Sequence, residues 1–97
     1  MIEVRQTQEF LAWPRHLKDA NAAARIIARM RRLEQGNTGD TKSVGKSELE
    51  MRIDYCPGYR IYYLHRGAQV VILLCAGDKR TQQKDIKRAQ MLAETLE

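Results

Sequence analysis

The 97 residues carry 43% apolar side chains and a formal charge of +5, enough for one domain (1–97) with a single modest core. The longest apolar run, Val70 to Ala76, is far too short to cross a bilayer, so no membrane partner is expected. Met1-Ile2-Glu3-Val4-Arg5 lacks the basic-then-apolar pattern of a secretory leader. Cys56 and Cys75 form no CxxC and have no histidine at zinc-ligand spacing, which suits reduced thiols in a cytoplasmic protein, with Cys75 as buried packing. An isoelectric point near 9.5 points to a polyanionic partner.

Residues 2 to 5 alternate as a short strand would. Thr7 can cap a first helix carrying Phe10, Leu11 and Trp13, and Pro14 should stop or kink it near Trp13. Leu17 then returns apolar surface to the core. In the second helix Ala23, Ile26, Ile27, Met30 and Leu33 form one stripe, with Asp19 or Asn21 as cap and Gly36-Asn37 as a left-handed stop. Arg25, Arg29 and Arg32 share its outer face. That stripe is either a solvated surface or a track for phosphates. Gly39 to Lys46 reads as a loop with one short strand around Lys42 to Val44.

Leu49, Met51, Ile53 and Tyr55 alternate with Glu50, Arg52 and Asp54, the pattern of a half-buried strand. Cys56-Pro57-Gly58 makes a turn, Tyr59 to Leu64 the return strand and Arg66-Gly67-Ala68 a second turn. Gln69 to Ala76 is nearly all apolar, as expected of a central strand covered on both faces. A last helix begins near Thr81, with Ile86, Ala89, Ala93 and Leu96 inward and Lys84, Lys87 and Arg88 outward. Helices, an antiparallel meander and a closing helix predict an α+β fold.

Arg60 and Tyr62 share one strand face, and the antiparallel neighbour can bring Arg52 or Glu50 onto it. Arg60 either grips a phosphate or pairs across the strand with Asp54 or Glu50. Lys79 and Arg80 precede a helix start, where the helix dipole favours an anion and disfavours cations. They are either anion ligands or solvated loop residues. His16 and His65 stand apart from each other and from carboxylates at catalytic spacing. Ser43 and Ser47 have no evident base.

Several segments occur in an order that carries a resemblance: Trp13, Ile27-Ala28-Arg29-Met30-Arg31-Arg32-Leu33, Gly36-Asn37-Thr38-Gly39-Asp40, Glu50-Met51-Arg52-Ile53 and Pro57-Gly58-Tyr59-Arg60-Ile61-Tyr62. Leu73-Leu74-Cys75-Ala76-Gly77-Asp78-Lys79, Gln82 and Asp85-Ile86 follow. Together they resemble the RelE/HigB-type toxins of bacterial toxin–antitoxin modules, in the phage-related addiction module killer protein branch, over about residues 10 to 93. Cys56 and Ala76 stand where that branch commonly has glycine.

The resemblance implies a small twisted antiparallel sheet with two N-terminal helices and a C-terminal helix (RelE/ParE-like). It also implies a ribosome-dependent mRNA endonuclease, restrained by a cognate helix-turn-helix antitoxin. The chemistry implied is metal-free attack of the RNA's own 2′-hydroxyl, with no cofactor. Carried over by position, Arg60 is the phosphate-gripping arginine and Lys79 the second cation, with Arg52 and Tyr62 as helpers. Arg25, Arg29, Arg32, Arg80 and Lys84 are candidates for RNA and ribosome binding. A ParE-like inhibitor of DNA gyrase, or a basic antitoxin-binding module, are the competing readings.

Overall fold

A computed structural model describes residues 2–13 and 17–96. Pro14 and His16, and what was expected of them, lie outside the described residues. The elements are β1 (Glu3–Gln6), α1 (Gln8–Ala12), α2 (Ala20–Glu34), β2 (Thr41–Ser43), β3 (Glu48–Arg52), β4 (Arg60–Arg66), β5 (Val70–Gly77) and α3 (Gln82–Thr95). A 3-10 turn, Lys79–Thr81, leads into α3.

The strands form one sheet in the order β1-β5-β4-β3-β2. β2 to β5 run antiparallel as predicted, but β1 pairs parallel to β5, with Glu3 opposite Val70. The sheet is therefore mixed, and the all-antiparallel expectation is corrected. A period-2 pattern reveals a strand's faces and not its partner, and β1 is joined to β5 from the far end of the chain.

Two cores lie on opposite faces of the sheet. Phe10, Ile26 and Leu33 from α1 and α2 pack on Met51, Ile61, Tyr63, Val71 and Leu73. Ala89 and Ala93 of α3 pack on Tyr62, Leu64, Ile72, Leu74 and Cys75. β5 is thus covered on both sides, as its composition predicted. A bulge where Tyr62 faces Cys75 but Tyr63 faces Leu73 lets consecutive Leu74 and Cys75 both meet α3. Thr7 caps α1 by accepting from the Phe10 N–H at 3.1 Å, and its hydroxyl donates to the bulged Leu74 carbonyl at 2.6 Å. Burial pushes the Cys75 thiol up to about 12, so it stays protonated and inert.

The α2 stripe is narrower than predicted. Ala22, Ile26 and Leu33 are buried, whereas Ile27 is half exposed. Arg29 is the larger correction. Its guanidinium leaves the outer face and donates to the carbonyls of Arg52 at 2.7 Å and Thr38 at 3.0 Å. Gly39, at φ +61°, lies beneath it, where a Cβ would come within 2.6 Å of the guanidinium. Arg29 therefore ties α2 to β3 and to the loop between them.

Removing that tie leaves two backbone carbonyls without a donor. Arg29→Ala should lower stability by about 2–3 kcal/mol in urea unfolding, whereas Arg32→Ala, on the exposed face, should change it by less than about 0.5 kcal/mol.

Candidate functional site

β3 and β4 end together at one edge of the fold, and their register brings the predicted residues into line. Arg52 stands opposite Arg60, and Glu50 opposite Tyr62. Because alternate residues share a face, Glu50, Arg52, Arg60 and Tyr62 all point to the α3 side of the sheet. Sequence alternation predicted that Glu50 would face solvent. It is instead wholly buried, because α3 covers that face.

The Glu50 carboxylate is the hub. Tyr62 donates to its Oε2 at 3.1 Å, and Gln82, in the first turn of α3, donates to the same oxygen at 2.9 Å. Arg60 Nε lies 3.6 Å away, an ion pair in which the arginine side chain is only 12% exposed. Arg60 Nη1 donates to the Gly58 carbonyl at 2.8 Å, which sets the direction of the guanidinium. Glu50 Oε1 and the Nε atoms of Arg52 and Arg60 are buried without a hydrogen-bond partner among the described residues.

Tyr62 is fully buried, and its phenol is pushed far above its ordinary range, first by burial and then by the Glu50 charge. Its hydroxyl donates to Glu50. Arg52 pairs with Asp40 at 3.5 Å and remains partly exposed. Asp40, Arg52, Gly58, Tyr59 and Arg60 line an open groove of about 610 Å³.

Lys79 reaches this region from the end of β5, where Gly77 stands opposite Arg60. A Cβ on Gly58, at φ +86°, would lie 3.4 Å from Arg60 Nη1 and 3.7 Å from Lys79 Cβ, so the hairpin turn packs against the Arg60 guanidinium and the base of the Lys79 side chain. Lys79 is exposed and has no ion-pair partner among the described residues. Arg80 is different. It pairs with Asp78 at 2.9 Å, and that contact lowers the Asp78 carboxyl below its usual range. Lys84 lines a separate groove with Asp85, Arg88 and Met91. Arg25 and Arg32 line a cleft beside α2.

Two residues had no assigned role in the sequence reading. Gln82 joins α3 to Glu50. Asp85 accepts from the Thr81 hydroxyl at 2.5 Å, and packing pushes its carboxyl above the ordinary range, with burial the largest cause. Their place at the head of an amphipathic helix was visible, but the target of Gln82 lies in a strand 32 residues away, and that of Asp85 in the preceding turn and strand end. Asp85 and Thr81 also explain Gly77, where a Cβ would collide with Asp85 Oδ2 and fall 2.8 Å from Thr81 Oγ1. Gly77→Ala should therefore cost about 1–3 kcal/mol by overpacking. Most of that loss should vanish in an Asp85→Ala background, as measured by denaturant midpoints of the two single variants and the double variant.

Among the described residues, no three His, Cys, Asp or Glu side chains gather so as to hold a metal ion. No helix among them is long and apolar enough to cross a membrane. No solved structure matches the chain. An uncharacterized protein of Haemophilus influenzae is 48% identical over 95 residues, covering 98% of this chain and 96% of that protein. The family model described as Phage derived protein Gp49-like (DUF891) matches residues 8–96, and the chain belongs to that family, which is associated with addiction-module killer proteins.

Proposed function

We propose that this chain is a RelE/HigB-type toxin that cleaves mRNA on the ribosome and is restrained by a helix-turn-helix antitoxin. The observation that carries the reading is Arg60, held by a fully buried Glu50 at the mouth of an open groove, with the base of Lys79 beside the Gly58 turn. A guanidinium fixed in advance can stabilise charge that develops on a phosphate without reorganising during the reaction. Family membership supports the toxin role and its antitoxin partner.

In this reaction the 2′-oxygen attacks the adjacent phosphorus and the P–O5′ bond breaks. The products are a 2′,3′-cyclic phosphate and a free 5′-hydroxyl. Arg60 neutralises the non-bridging oxygens, and Arg52 joins it by exchanging its solvent-exposed pair with Asp40. Lys79 faces the leaving 5′-oxygen, as a charge stabiliser or as the proton donor. Tyr62 and Glu50 act by positioning Arg60. Removal of the 2′-hydroxyl proton falls to water or to ribosomal groups.

The test is to map mRNA ends on ribosomes after brief induction, together with single-turnover cleavage on programmed ribosomes. Lys79→Ala should cut about 10²–10³-fold more slowly. Lys79→Arg keeps the charge but does not release a proton near neutral pH, so it should restore an electrostatic role and fail to restore an acid. Cleavage by Lys79→Ala at the wild-type rate would remove Lys79 from the site. Growth arrest without any mRNA cleavage would transfer the function to gyrase inhibition.

A further inference from the structure

The groove at Arg60 does not end at the hairpin. Ile53 and Asp54 form one of its walls and also one wall of a smaller cleft, about 190 Å³, whose other side is Arg25, Arg29 and Arg32 of α2. The two basic regions thus approach Ile53 and Asp54, just past the end of β3, from opposite faces of the sheet. In the cleft, Arg29 is committed to the carbonyls of Arg52 and Thr38. Arg25 and Arg32 are exposed, and neither has a carboxylate partner among the described residues. The Arg25 guanidinium lies over the Tyr55 ring, 4.7 Å from its centroid, and Tyr55 in turn donates to Asp19 at 2.9 Å. That stack holds the arginine by its face and leaves its N–H edge for an acceptor.

We propose that the α2 cleft is a second phosphate subsite, so that the protein holds one RNA strand at two points, with Arg25 and Arg32 on a phosphate flanking the one at Arg60. Asp54, exposed at the junction, carries a negative charge that excludes a phosphate there and offers an acceptor to a ribose hydroxyl. The strand therefore lies with its phosphates on either side of Asp54. The assignment rests on RNA being the substrate. It differs from a general basic surface in specifying one additional phosphate and in excluding Arg29 from the contact.

A walk with a neutral methylphosphonate along synthetic mRNA on programmed ribosomes tests it. Beyond the scissile phosphate, one neutralised position should slow wild-type cleavage about tenfold, the scale of a lost charge-assisted hydrogen bond. Arg25→Gln/Arg32→Gln should slow cleavage of native mRNA by a similar factor and show no further slowing at that position. If every non-scissile position is cut at the native rate, or if the two effects multiply, the subsite is overturned while RNA cleavage stands. If the wild-type protein leaves native mRNA intact, the RNA reading fails and the subsite fails with it.

Discussion

A carboxylate with no exposed surface sits in the middle of β3, and the arrangement of the sheet's open end follows from keeping that charge compensated. Glu50 receives a phenol from β4, an amide from α3 and a guanidinium from the start of β4. Removing one partner of a buried ion pair typically costs about 3–5 kcal/mol, because the other charge is left without compensation. Arg60 is therefore more than a surface arginine that happens to face a groove. Its position is part of the fold, so under the proposed function a substrate phosphate would meet a cation whose ordering was completed during folding.

The same constraint links three elements that are distant in sequence. β3 supplies the charge, β4 the arginine and tyrosine, and the head of α3 the amide that closes the cluster. α3 is seated by a second contact, Asp85 against the bare Cα of Gly77. Because Gly77 lies opposite Arg60 and Lys79 follows two residues later, the packing that seats α3 also sets where Lys79 emerges. On the other side of β3, Arg29 fixes the loop that presents Asp40, the partner of Arg52. Each cation at the groove is thus positioned by a contact that carries no chemistry of its own.

Much of this was legible in the residues. The strand from Leu49, the turn at Pro57-Gly58, the apolar run of β5 and the Asp19 cap rest on local periodicity and turn chemistry, and the structure follows them, although β3 ends at Arg52 where the alternation ran on to Tyr55. The shared face of Arg60 and Tyr62, with Arg52 and Glu50 opposite, follows from period 2 and antiparallel pairing. What remained hidden depended on long-range packing. Alternation marks Glu50 as polar and cannot tell that α3 will cover it. Helical spacing groups Arg29 with Arg25 and Arg32, yet only the loop folding back at Gly39 shows that Arg29 turns inward. The parallel pairing of β1 and the tie from Gln82 to Glu50 lie beyond any local pattern for the same reason.

The claim that Glu50 and Arg60 form one unit is tested most directly by a double-mutant cycle on folding stability, using Glu50→Gln, Arg60→Gln and the combined variant. Each single change should lose about 3 kcal/mol, and the double variant no more than either alone, giving a coupling of about 3 kcal/mol. Losses that simply add, within about 0.5 kcal/mol, would mean that Glu50 and Arg60 are independent. Arg60 would then owe its position at the groove to something other than the buried carboxylate.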